Sequence, residues 1–312
     1  MRKGINYDTG FLPRPDISRE EFDRASVRSD LGVIAGELHC TDVRVSGGDA
    51  DRLEIAAQEA AAAGLRVFLA PFPVDVEPAA MLELYADVAE RAERLRRDGA
   101  DLIVVTGCES SAFCPGFIEG DTYLDRLNTI GTADMAWWEG IGPIMGRFNA
   151  FLAEAAGTVR KRFGGPVTYA SGPWEFVDWS PFDLVGVDAY RAAYNAGTFL
   201  DELRAHRAHG KPVVVTEFGT AAYTGAGLLG GMAWQPPADA VRDEDEQVRY
   251  LTELLAIFEA EGVDTALWFT FAGFHLPGDA DLASYGVVRM LDGTRWEPKA
   301  AFHAMAALYA QK

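Results

Sequence analysis

Two glutamates stand where a pair of carboxyl groups could do nucleophilic or acid–base work. Glu217 closes the run KPVVVTEFG, and Glu109 follows the run DLIVVTG in DLIVVTGCESSAF. Runs this apolar and β-branched read as buried strands, and a carboxylate at the carboxyl end of a buried strand is costly unless it has a partner or a task. Alternation along KPVVVTE puts Val213, Val215 and Glu217 on one face, with the last able to turn over the strand end. Two carboxyls about 5–5.5 Å apart suit retaining glycosidic chemistry, one as nucleophile and one as acid/base. Two plainer readings stand beside this one. Glu217 could cap a helix or pair with a surface arginine, and Glu109 could cap a turn with Ser110 and Ser111. Glu119, in GFIEGD, is the reserve for the second carboxyl.

The elements that would position these residues alternate along the whole chain. Strand-like runs are expected at 4–8, 40–46, 65–71, 101–107, 166–171, 183–190, 212–217 and 264–271. Amphipathic stretches lie between them, clearest at 78–97, 244–261 and 298–310, and Gly64, Gly99, Gly210 and Gly262 each close a helix before the next strand. Eight such units imply parallel strands closed into a (β/α)8 barrel, read as one domain over 1–312. No GxGxxG follows the first strand, which speaks against a dinucleotide-binding open sheet. The long connections 108–138, 172–182, 218–243 and 272–297 all run from strand to helix, on the face where barrel enzymes build their sites. They carry Trp137, Trp138, Trp174, Trp179 and Trp234. Flat aromatic faces suit stacking on a sugar ring, although packing of loops on the barrel would explain them as well.

Composition bounds the partners. A formal charge of −19 over 312 residues argues against nucleic acid and against an anionic membrane surface, and leaves a neutral small molecule or oligosaccharide open. No apolar run approaches the ~20 residues of a membrane helix. The opening MRKGINYDTG has no apolar segment behind its basic pair, and Cys40, Cys108 and Cys114 make an odd, scattered set, so a cytoplasmic protein is expected. Oligomeric state is left open. The five histidines show no HExxH or similar ligand spacing and no Walker loop occurs, so neither metal nor cofactor is expected. Asp8 shares a face with Asn6 at the end of the first strand, and Asp188 shares one with Tyr190, so each could touch substrate hydroxyls or simply close the barrel mouth.

Glutamates closing strands 4 and 7 resemble clan A of the retaining glycoside hydrolases, whose members are (β/α)8 barrels. The resemblance implies Glu217 as nucleophile and Glu109 as acid/base. It also implies that Arg44, in TDVRVSG, holds the nucleophile ionised and that Tyr190, in GVDAY, hydrogen-bonds it. Trp268, in ALWFTF, would be the aromatic floor of the sugar site. Asp8, Asp188, Trp174 and Trp234 are, by their own positions on strand ends and loops, the further candidate substrate contacts. One position departs from the pattern. The acid/base of the clan usually follows an asparagine that binds the sugar 2-hydroxyl, and here that position is Cys108, a poor donor and weak acceptor. The chain is also similar to bacterial proteins labelled abortive infection proteins. A barrel repurposed for non-glycosidic chemistry and a non-catalytic sugar-binding or phage-defence protein are the alternatives.

Overall fold

The computed structural model describes residues 1–13 and 15–311. Eight parallel strands form one sheet: β1 (Arg2–Asp8), β2 (Asp42–Gly47), β3 (Arg66–Pro71), β4 (Leu102–Cys108), β5 (Val167–Ala170), β6 (Val185–Asp188), β7 (Val213–Phe218) and β8 (Thr265–Trp268). Pairing runs from β5 through β4, β3, β2, β1, β8 and β7 to β6. A parallel bridge from Ser171 to Val187 closes the ring between β5 and β6. The fold is a (β/α)8 barrel, as the alternation predicts, with strand limits within a few residues of those expected.

The outer layer holds α1 (Arg24–Gly36), α2 (Ala50–Ala62) and α3 (Pro78–Arg97). Beyond β4 the long insertion folds into α4 (Ser110–Phe113), α5 (Tyr123–Gly131) and α6 (Met135–Glu139) before α7 (Gly142–Arg160) returns to β5. The later helices are α8 (Phe199–Ala205), α9 (Glu244–Ala260) and α10 (Ala300–Tyr309). Local chemistry sets the ends. The Asp243 side chain accepts from the Asp245 amide at the start of α9, whose first turn is acidic, while three arginines occupy the last turn of α3. The four glycines expected to end helices all have positive φ. One unit departs from the alternation: β5 passes to β6 through 171–184 without a helix. The last insertion forms a hairpin of β9 (Val288–Met290) and β10 (Trp296–Pro298). Among the described residues no helix is long and apolar enough to cross a membrane.

Two apolar clusters follow from the strand period. Phe68, Ile103, Val105, Val214 and Leu267 fill the barrel, and Val67, Val104, Val185, Val213, Val215 and Trp268 face the helices. Strict alternation would therefore send Glu217 outward with Val213 and Val215. A bulge prevents this. On β7, Val215 pairs with Val187 and Ala266, yet Glu217 pairs with Asp188 and Phe218 with Trp268, so β7 carries one extra residue. Glu217 is thereby turned into the mouth. The shared face expected for Val213, Val215 and Glu217 is corrected accordingly. A second extra residue lies on β4, where Val105 pairs with Thr168 and Cys108 with Ala170. Gly107, at φ 96°, sits in that bulge, and a Cβ there would lie 2.5 Å from Ser110 Oγ and 2.6 Å from Tyr85 Oη.

Candidate active site

The carboxyl ends of β1, β2, β4, β6 and β7 meet in one polar network around Glu217. Arg44, fully buried on β2, donates through Nη1 to Glu217 Oε1 and, at 2.9 Å, to Asn6 Oδ1. Asn6 is aimed by its own amide, which donates to the carbonyl of Thr216 at 3.0 Å and to those of Leu267 and Trp268. Tyr190 Oη donates to Glu217 Oε2 at 2.9 Å. Both carboxylate oxygens are thus held, from opposite sides. The Cys108 thiol lies 3.4 Å from Glu217 Oε1 and 3.4 Å from Asp188 Oδ2, and Thr216 Oγ1 donates to Asp188 Oδ1 at 2.7 Å. Burial pushes the Asp188 carboxyl well above the usual carboxylate range. The neighbouring Glu217 charge raises it further, and Arg44 opposes both.

Glu109 is placed differently. Its backbone is left-handed, at φ 44°, held by its amide to the Ala170 carbonyl at 2.9 Å and by its own carbonyl, which accepts from Ala112 and Phe113. The turn with Ser110 and Ser111 is therefore capped by the Glu109 backbone, and its carboxyl takes no hydrogen bond from the described residues. Oε1 approaches Gly172, where a Cβ would stand 3.0 Å from that oxygen and 2.8 Å from Trp174 Cζ2. Only a glycine lets the carboxyl and the indole lie over the same backbone. Burial pushes the Glu109 carboxyl well above its usual range, helped by Asp188, Glu217 and Glu175.

Glu175 is a residue the sequence reading missed. It accepts from the Ser111 amide at 3.0 Å, the Gly172 amide at 3.0 Å and Tyr169 Oη at 2.9 Å, so it ties the β5 loop to the turn that carries Glu109. A charged residue inside the aromatic string GPWEF was the signal available. Burial pushes the Glu175 carboxyl up to about 7 against the pull of these donors. The folded protein then keeps a proton that the unfolded chain releases near 4.5. Stability from this group is full below that value and is lost as pH rises towards about 7. Glu175→Gln is accordingly expected to flatten the fall in stability across this window, by at most roughly 3.5 kcal/mol. An unchanged pH slope in thermal unfolding would refute the assignment.

The remaining predicted residues separate into rim and core. Trp174 is half-buried beside Glu109, with its Nε1 donating to Ser111 Oγ at 3.0 Å. Trp234 is 36% exposed on the β7 loop, where the Gly230 carbonyl accepts from Tyr285 Oη, and Tyr285 packs edge-on to Tyr190. Asp8 is turned to its own loop, accepting from the Gly10 amide at 2.6 Å and from the Ser18 hydroxyl. Trp268 is not a floor. It is fully buried, edge-on to Phe218 and Tyr250, and its Nε1 donates to the Tyr285 carbonyl at 3.1 Å. Regular pairing of β8 with β1 sends Leu267 inward and Trp268 onto α9. The half-buried aromatic at this strand end is Phe269. Trp137 and Trp138 pack on the core, Trp179 is buried against Phe182, and Glu119 is exposed.

Comparison with known proteins adds to this geometry. No family model and no curated protein matches the chain. Solved structures do. A GH113 β-1,4-mannanase superposes with a TM-score of 0.69 at 17% identity, covering 100% of each chain. The GH113 β-mannanase AaManA from Alicyclobacillus acidocaldarius, in complex with ManMIm, gives 0.66 at 17% identity over 98% of this chain and 96% of that one. A calcium-binding mutant of Bacteroides uniformis β-glucuronidase 2 gives 0.62 at 14% identity over 99% of this chain and 34% of the other. At such identities the likeness is one of fold, the same barrel at nearly full length.

Proposed function

We propose that the chain is a retaining glycoside hydrolase or transglycosidase acting on a neutral glycoside or oligosaccharide. Glu217 attacks the anomeric carbon and Glu109 protonates the departing oxygen, giving a covalent glycosyl-enzyme. Glu109 then deprotonates the incoming water or acceptor. The observation that carries this reading is the contrast between two carboxyls at one barrel mouth. Glu217 is gripped at both oxygens by Arg44 and Tyr190, whereas Glu109 is unbonded and held towards its protonated form. One group is fixed in place for attack and the other is left free to give up a proton. Asp188, Trp174 and Trp234 belong to the reading as substrate contacts, with Asp8 at the edge. A cytoplasmic setting is part of the proposal, supported by the free thiols Cys40, Cys108 and Cys114.

Cys108 beside the acid/base removes a strong contact to the sugar 2-hydroxyl, so a slow enzyme is expected. The test is a panel of aryl glycosides followed by proton NMR of the first-formed sugar. Aryl β-mannosides head the panel because similarly folded proteins are described as β-mannanases. Product of unchanged anomeric configuration is expected. Inverted product would refute the double displacement, and silence across the panel would move the assignment to a repurposed or sugar-binding barrel.

A further inference from the structure

We infer that Cys108, Asp188 and Glu217 form a binding site for a soft divalent cation, zinc being the representative ion. No linear spacing of ligands marks it, because the three donors come from the ends of β4, β6 and β7. One donor atom from each lies within 4.8 Å of the other two, and all three side chains are buried. The thiol sulfur is 3.4 Å from Asp188 Oδ2 and 3.4 Å from Glu217 Oε1. Tetrahedral zinc, with bonds of about 2.3 Å to sulfur and about 2.0 Å to oxygen, separates those atoms by about 3.5 Å. The sulfur–oxygen edges of the site already have that length.

The outer contacts are those of a ligand set. The oxygen of each carboxylate that does not face sulfur is held by a hydroxyl, Asp188 Oδ1 by Thr216 and Glu217 Oε2 by Tyr190. Set against the Arg44 guanidinium, a thiolate and two carboxylates leave two negative charges in excess, which a divalent cation cancels. Arg44 Nη1 already occupies one lone pair of Glu217 Oε1, and the cation takes the direction now facing the thiol. Binding displaces the thiol proton, and any proton on Asp188, to solvent. A fourth ligand, as in three-donor zinc sites, would be water. Cysteine is what separates this set from a purely carboxylate cluster, since thiolate selects zinc-like ions over magnesium or calcium.

Metal binding does not depend on the hydrolase reading, but its consequence does. A cation on Glu217 occupies the proposed nucleophile, so zinc should inhibit competitively and a chelator should restore turnover. The test is cobalt titration of the full chain. A thiolate-to-cobalt charge-transfer band is expected in the near ultraviolet, saturating at one ion per chain and abolished by zinc. Cys108→Ser should lose the band and weaken zinc binding at least tenfold, with folding checked by near-ultraviolet circular dichroism. Asp188→Asn, which keeps the thiol, should also weaken zinc at least tenfold. The Cys40→Ser/Cys114→Ser double variant should keep both band and affinity. No band in the parent chain, or a band that survives in Cys108→Ser, overturns the site. A band in a chain that turns over no glycoside supports the site and counts against the hydrolase reading alone.

Discussion

Glu217→Gln is expected to lower turnover of an activated aryl glycoside by at least about 10⁴-fold while the fold persists. An amide cannot form the glycosyl-enzyme, and good leaving groups do not compensate for a missing nucleophile. The effect on stability is bounded by the partners. Arg44 is wholly buried and Glu217 is its ion-pair partner, and stripping one member of such a pair commonly costs roughly 3–5 kcal/mol. Here Asp188 stands at the same cluster and owes part of its raised value to the Glu217 charge, so it ionises more readily once that charge is gone. The loss should therefore fall below that range. Stopped-flow or steady-state kinetics with chemical denaturation would check both parts. Turnover near that of the parent chain would remove Glu217 from the mechanism.

Glu109→Ala should separate two kinds of substrate. Glycosides with poor leaving groups need protonation, and their turnover is expected to fall by roughly 10²–10⁴-fold. Activated aryl glycosides need little, so formation of the glycosyl-enzyme survives and its hydrolysis becomes limiting. Azide, which attacks without a general base, should then restore turnover and yield a glycosyl azide of the same anomeric configuration as the substrate. The small pocket left beside Gly172 and Trp174 gives the anion room. Equal losses for both substrate types, with no response to azide, would assign Glu109 a structural part only. Its unbonded carboxyl argues against that part, because the contacts holding this turn are made by its main chain and by Tyr169, Glu175 and Trp174.

The barrel was legible because its signals were long and regular. Apolar strands and amphipathic helices such as 78–97 repeat from end to end, and helix-ending glycines punctuate them. Glu217 was legible as the carboxylate at the close of an apolar run, whereas Arg44 and Tyr190 were singled out through the resemblance to clan A. What was hidden depends on pairing between strands. The extra residue on β7 sets the direction of Glu217, and nothing within KPVVVTEFG announces it. Trp268 was misplaced by the converse fault: β8 has no extra residue against β1, so plain alternation sends its indole to the helices. Glu175 was overlooked because its partners, Ser111 and Tyr169, are remote or offset in sequence. The gathering of Cys108, Asp188 and Glu217 has no linear signature at all.

The closure between β5 and β6 bears on the spacing of the two carboxyls. Other neighbouring strands share registers of several residue pairs, but this joint has a single ladder bridge, with the Ser171 amide to Gly186 O at 3.0 Å and the Asp188 amide to Ser171 O at 2.9 Å, besides the bonds of Asp183 N to Val167 O and Thr168 Oγ1 to Leu184 O at its amino end. Glu109 hangs from β5 through the Ala170 carbonyl, while Asp188 and Glu217 ride β6 and β7. Glu109 and Glu217 are thus carried on opposite sides of the joint with the fewest ladder pairs in the ring. Local opening is easiest where backbone pairing is thinnest, so a change at this joint would shift Glu109 against Asp188 and Glu217.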